Sequence, residues 1–125
     1  MKILQILPEL NVGGVETGTV DFARYLVAHN HQSIVVSNGG RLVEQLLKDG
    51  SRHYILPVHK KSLFSMIYSF NKLVEILQEE KVDVVHARSR IPAWIAYFAS
   101  RKAKTAFITT CHGYYSNHPF SRVMG

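Results

Sequence analysis

A chain of 125 residues has room for one compact core and one site rather than a two-domain enzyme. Its 46% hydrophobic and 19% charged residues exclude disorder and collagen-like repeats, and the lone cysteine, Cys111, excludes an internal disulfide framework and any multi-cysteine metal centre. Fifteen Lys and Arg against nine Asp and Glu leave a net charge of +6, dispersed and without any nucleic-acid motif, so no nucleic-acid partner is expected.

Lys2 to Leu7 reads as a buried strand stopped by Pro8, which cannot donate to a ladder. After Gly13-Gly14, the spacing of Val15, Thr19, Phe22, Ala23, Leu26 and Val27 predicts an amphipathic helix over 15–29. Gln32 to Ser37 is short and β-branched, a strand closed by Asn38-Gly39-Gly40. A helix over 41–49 follows on Leu42, Val43, Leu46 and Leu47, with Gly50 in a C-cap position. His53 to Leu56 is the third strand. Residues 63–80 carry Leu63, Met66, Ile67, Phe70, Leu73, Val74 and Leu77 at clean helical spacing. Val82 to His86 is a strand, Pro92 to Ser100 a helix with proline in its first turn, and Thr105 to Cys111 a fifth strand. Five strands alternating with four helices predict an α/β fold: a Rossmann-like open parallel sheet in the order 3-2-1-4-5, flanked by helices, with a switch point between strands 1 and 4.

In such sheets ligands bind beyond the carboxyl ends of the strands, which selects the segments 8–16, 37–41, 57–61, 87–90 and 112–115. The first runs from Asn11 through Gly13, Gly14 and Glu16 into a helix, where glycines admit a close ligand and the helix start offers free N–H groups to a phosphate or diphosphate. Neither a G-x-G-x-x-G fingerprint nor a Walker A motif is present, and an ordinary glycine turn with Glu16 complementing the helix dipole fits the same residues. His112 follows the last strand and titrates near neutrality, which suits a cleft histidine and equally a loop histidine bonded to backbone. The forks of Arg88 and Arg90 suit carboxylate or phosphate, or solvated charge before a helix. Tyr114 and Tyr115 offer ring faces to a sugar or lipid, or cover the sheet end. His29, His31, His53 and His59 read as solvent-facing or loop residues, His86 as a core histidine and Cys111 as a small core residue. No His, Cys, Asp or Glu cluster has metal-ligand spacing.

Three stretches carry a family resemblance: Ile3 to Glu16 (ILQILPELNVGGVE), Val84 to Trp94 (VVHARSRIPAW) and Ile108 to Tyr115 (ITTCHGYY). Asn30-His31-Gln32 before the second strand and the glycine pair after it fit as well. The whole chain resembles the amino-terminal domain of family-4 retaining glycosyltransferases of the GT-B fold, enzymes with two facing Rossmann-like domains. The resemblance implies that Gly13 and Gly14 face the donor diphosphate and that His112, as the catalytic histidine, lies near the transferred sugar. It places Glu16, Arg88, Arg90 and Tyr114 on the acceptor side. It implies retaining transfer from a nucleotide-diphosphate sugar to a glycan or glycolipid acceptor, in envelope polysaccharide or lipopolysaccharide synthesis, with no metal and no cofactor.

The domain expected over 1–125 is therefore an incomplete amino-terminal glycosyltransferase domain without its donor-binding carboxyl domain, and inactive alone. A stand-alone α/β module binding an anionic ligand or a partner protein is the alternative. No apolar run approaches the roughly 18–20 residues of a membrane span, and the N-terminus turns polar too soon for a signal peptide. The expected setting is cytoplasmic, with peripheral contact to the inner face of the membrane through Lys60-Lys61 and Arg101, Lys102 and Lys104. Ordinary solubility explains the same charge.

Overall fold

The computed structural model describes residues 1–10, 14–58, 60, 62–88 and 90–109, the side chains of Arg90 and Ile91 excepted. Its elements in chain order are β1 (Lys2–Ile6), α1 (Gly14–Ala28), β2 (Gln32–Ser37), α2 (Val43–Lys48), β3 (Arg52–Ile55), α3 (Leu63–Glu79), β4 (Val84–Ala87), α4 (Arg90–Ala103) and β5 (Ala106–Thr109). The strands pair in parallel in the order β3-β2-β1-β4-β5. Leu4 of β1 lies opposite Ile34 on one side and Val85 on the other, so β1 is central. Strand order reverses there, and the crevice past the ends of β1 and β4 is the switch point.

Both faces of the sheet are covered, which is why its strands read as nearly continuous apolar runs. Leu4, Ile6, Val36, Val85, Ala87 and Phe107 pack against Leu73, Val74 and Leu77 of α3 and Ile95, Ala96 and Ala99 of α4. Val35 faces the opposite layer, where Leu7 and Leu10 meet Val20 and Ala23 of α1 and Leu46 of α2. Period-two alternation sends Gln5, between Leu4 and Ile6, to this α1 layer, where it is fully buried and its Nε2 donates to the Thr19 carbonyl at 3.2 Å.

The four helices among the described residues end alike. Asn30, Gly50, Lys81 and Lys104 adopt positive φ (66°, 99°, 55° and 57°). The next amide in each case, from His31, Ser51, Val82 and Thr105, donates back to Leu26, Leu46, Leu77 and Ser100 at 2.8–3.1 Å. This left-handed closure satisfies terminal carbonyls and turns each helix straight into the following strand. Gly50 is the closure the sequence announces; the other three use residues with a side chain.

The N-terminal edge is tied by Glu80, which follows α3. Arg52 Nη1 donates to its two carboxylate oxygens at 2.7 and 2.8 Å, the Tyr54 hydroxyl donates to Oε2, and Lys2 Nζ lies 3.6 Å away. The Tyr54 hydrogen bond, then Arg52 and Lys2, hold the Glu80 carboxyl below its usual pKa despite its burial. Some boundaries differ from expectation. α4 begins at Arg90, leaving Pro92 in the first turn, where its missing N–H is harmless. β4 begins at Val84 because Val82 is used in closing α3. No helix among the described residues is long and apolar enough to cross a membrane.

Candidate functional site

Two loops at the C-terminal edge of the sheet are laced together. Beyond β1, the Leu7 amide donates to Val36 at 3.1 Å, Asn38 donates to the Pro8 carbonyl at 2.8 Å, Leu10 to Gly39 at 2.9 Å and Leu42 to Leu10 at 2.8 Å. The segment 7–10 thus runs as a backbone-paired strap beside the turn after β2. Gly40 is required there: its φ is 148°, and a Cβ would stand 2.5 Å from the carbonyl carbon and oxygen of Leu10. Ser37 braces the turn from below, its fully buried Oγ accepting from the Gly39 amide at 3.0 Å and lying 2.7 Å from His53 Nε2. His53 lies in β3, as its strand pattern predicts, but it is half-buried and bonded rather than solvent-facing, and burial pushes its imidazole pKa below the usual value.

The strap leads to the start of α1. Gly14 opens the helix, and a Cβ there would meet nothing within 4 Å. Glu16 sits in the first turn and, with Leu7, Pro8, Glu9 and Val15, lines a cleft of about 300 Å³. Thr19 Oγ1 donates to the Val15 carbonyl at 2.8 Å, one turn in.

Arg88 reaches this region from the other side of the switch point. Its amide donates to the Ile6 carbonyl at 3.0 Å, continuing the β1–β4 ladder. Its Nε donates to Gln5 Oε1 at 2.7 Å, its guanidinium lies 5.9 Å from the Phe22 ring centre, and a Cβ on Gly18 would meet Nη1 at 3.7 Å. The side chain thus crosses β1 and lies against the early turns of α1. No carboxylate pairs with it among the described residues, and burial lowers its pKa from the usual value while leaving it charged. His86, on β4, meets Phe22 edge-on at 6.4 Å.

The structure therefore brings Gly14, Glu16 and Arg88 to one edge of the sheet. Arg90 opens α4, with its side chain outside the described residues; Gly13, His112 and Tyr114 also lie outside them. Gln5 and Ser37 are the supporting residues the sequence reading passed over. Gln5 had a signal, interrupting the otherwise apolar run from Ile3 to Leu7; Ser37 had none beyond its place at a strand end. Among the described residues no group of three or more His, Cys, Asp or Glu could hold a metal ion.

Comparison with known proteins places these features in context. The sequence model of Glycosyltransferase Family 4 matches residues 12–124. A solved glycosyltransferase from Rickettsia africae is 40% identical and superposes with a TM-score of 0.81 over 91% of this chain and 30% of its own. One component of the human phosphatidylinositol N-acetylglucosaminyltransferase is 28% identical over 106 residues, 80% of this chain and 22% of that protein. Anabaena HepE, solved with UDP and glucose, shares the fold with a TM-score of 0.66 at 19% identity, over 87% of this chain and 29% of its own. The chain thus spans less than a third of the length of each.

Proposed function

The chain belongs to glycosyltransferase family 4, and from that premise we propose that it forms the acceptor-side wall of a retaining sugar transferase using a nucleotide-diphosphate donor. The acceptor is a glycan or glycolipid, as in envelope polysaccharide or lipopolysaccharide synthesis, met from the cytoplasmic side of a membrane. Transfer breaks the bond between the anomeric carbon and a diphosphate oxygen and forms one to an acceptor hydroxyl oxygen, whose proton passes to the departing diphosphate. Negative charge grows on the diphosphate as it leaves. The observation that carries the reading is Arg88, a half-buried cation without an anionic partner among the described residues, lying against the turns that follow Gly14.

A guanidinium with no anionic partner among the described residues, together with the N–H groups of a helix start, can meet an anion and offset leaving-group charge where no metal takes part. Among the described residues Gln5 holds Arg88 at Nε, and a ligand would take the terminal nitrogens. Arg88, which the resemblance puts on the acceptor side, is reassigned to the diphosphate because its side chain lies against α1 beside Gly18. Gly13 and Gly14 let the diphosphate approach backbone, Glu16, Arg90 and Tyr114 line the acceptor side, and His112, three residues beyond β5, bonds a hydroxyl of the transferred sugar. No cofactor takes part. Turnover requires a donor-gripping wall in addition to these 125 residues.

Joining the chain to the remainder of the Rickettsia africae enzyme tests this. Release of nucleoside diphosphate from a panel of nucleotide sugars should appear in the fusion and be missing from the chain alone. His112→Ala and Arg88→Ala should each lower turnover about 10²-fold, the usual cost of a lost charge-stabilising donor, with the fold retained by circular dichroism. Unchanged turnover in both variants, or a folded fusion that consumes no donor, overturns the reading.

A further inference from the structure

Exposed apolar side chains gather towards the start of two neighbouring helices. On α3 they are Leu63, Phe64, Ile67 and Tyr68, Phe64 with 85% of its surface exposed; on α4 they are Trp94, 62% exposed, and Phe98 one turn on. An open groove of about 460 Å³ runs between the helices, with Met66, Ile67 and Phe70 on one wall and Trp94, Ile95 and Phe98 on the other. α3 already meets the core through Leu73, Val74 and Leu77, so this patch exceeds what the fold needs, and a contiguous patch of that kind marks an interaction surface.

Further along the same helices the surface is charged, with the two signs on different helices. α3 continues through Lys72, Glu75 and Glu79, and α4 through Arg101 and Lys102. Glu75 is exposed, 3.8 Å from Lys72, whereas no carboxylate pairs with Arg101 or Lys102 among the described residues. The two groove walls have the same i, i+1, i+4 spacing, and Lys102 Nζ lies 5.8 Å from the centre of the Phe70 ring. The helices are therefore in register, and Glu75 stands level with the turn that carries Arg101 and Lys102.

α3 leads into β4 and α4 leads out of it, so both run against the parallel strands and parallel to each other. That direction decides how a second copy fits. With a two-fold axis across the helices, covering the apolar patches leaves the charged turns overhanging without partners. With the axis along the helices, α3 of one copy lies parallel on α4 of the other. Apolar start then meets apolar start, and Glu75 meets the cations of α4 at two symmetric places. The four exposed rings alone would bury roughly 400–600 Å² on each copy, and Leu63 and Ile67 extend this towards the ~800 Å² per partner of a standard interface.

We infer that the α3–α4 face is a self-association surface. Two copies of this chain pair about a two-fold axis along these helices, with Phe64 and Trp94 buried at the centre and Glu75 of each copy against Arg101 of the other. The helix starts lie at the same end of the fold as the carboxyl ends of the strands, so the pairing turns both Arg88 edges in one direction. Pairing needs neither donor nor acceptor, and it stands or falls independently of the proposed function.

Sedimentation equilibrium of the 125-residue chain, from micromolar to millimolar protein, should show monomer passing to dimer and stopping there. Trp94 is the single tryptophan, and its emission should shift to the blue as dimer forms. Phe64→Ser should weaken association roughly tenfold or more through lost apolar burial. Glu75→Lys and Arg101→Glu should each weaken it by a similar factor, because each sets like charges together twice. Mixed in equal amounts, those two variants should regain wild-type association, since both contacts of the mixed pair again join opposite charges. No effect within one chain produces that rescue. All three positions are exposed, and matched thermal melts establish that the variants fold. A chain that stays monomeric at millimolar concentration, wild-type association by Phe64→Ser, or a mixture no tighter than either variant alone would overturn the inference. A monomer whose Trp94 emission shifts only on phosphatidylglycerol vesicles would also overturn it, and give the face to lipid.

Discussion

Alanine at position 40 is a small change with a large consequence in this structure. Two costs add. Gly40 sits at φ 148°, where a residue with a side chain is strained by about 1–3 kcal/mol. The new Cβ would also stand 2.5 Å from the backbone of Leu10, which must move. Leu10 is held at both ends, donating to Gly39 at 2.9 Å and accepting from Leu42 at 2.8 Å, and distorting those bonds costs about 1 kcal/mol each. The stiffer unfolded chain returns about 0.4–1 kcal/mol. The balance is a loss of about 2–4 kcal/mol, which for a domain of this size lowers the melting temperature by roughly 10 °C or more. Gly39→Ala separates the terms: its φ is 103° but no atom lies within 4 Å of the added Cβ, so strain acts without the collision. Gly14→Ala, in helical backbone with open space around it, should be neutral or raise stability by up to about 1 kcal/mol. Thermal unfolding by circular dichroism ranks the three. A Gly40→Ala melt within about 2 °C of wild type would refute the lacing of the two loops.

Lys81 closes α3 at φ 55° without glycine's freedom, so Lys81→Gly should raise stability by about 0.5–1 kcal/mol, and a lower melting temperature would contradict the left-handed closure. Acid should weaken the fold over two pH ranges. The folded pKa of His53 lies below its usual 6.5, so its contribution is complete above that value and is lost as pH falls through the folded pKa; His53→Gln should flatten this first limb. The folded pKa of Glu80 lies below its usual 4.5, so its contribution persists to lower pH and is lost only as pH falls through that depressed value; Glu80→Gln should remove the second limb and lower stability at neutral pH. Denaturant midpoints measured from neutral to strongly acid pH distinguish the two, and variants with unaltered acid limbs would reject both assignments.

What the sequence made legible was local. Apolar runs bounded by Pro8, Gly39 and Gly50 mark strands buried on both faces, and the spacing from Leu63 to Leu77 marks α3, because each signal lies within a few residues. The segments beyond the strand ends followed from topology, and Gly14, Glu16 and Arg88 do share that edge. The supporting contacts were not legible, because they join residues far apart in the chain. Gln5 meets Arg88 across 83 positions, and Ser37 meets His53 across 16. The need for glycine at 40 comes from the Leu10 backbone, thirty residues earlier, and no property of the Asn38-Gly39-Gly40 turn itself announces it. His53 was placed in its strand correctly but taken as solvent-facing for the same reason: its partner, Ser37, lies on the neighbouring strand.

In the proposed function, the start of α1 and the Arg88 guanidinium together receive a diphosphate. Nuclear magnetic resonance of the isotope-labelled chain, titrated with pyrophosphate and then with UDP, tests it residue by residue. Shifts are expected in the amides of Gly14, Val15, Glu16 and Gly18 and in the Arg88 Nε–H, with an unmoved Trp94 indole and loss of the response in Arg88→Met. Shifts confined to other parts of the chain, no shifts at millimolar ligand, or an undiminished response in Arg88→Met would contradict it.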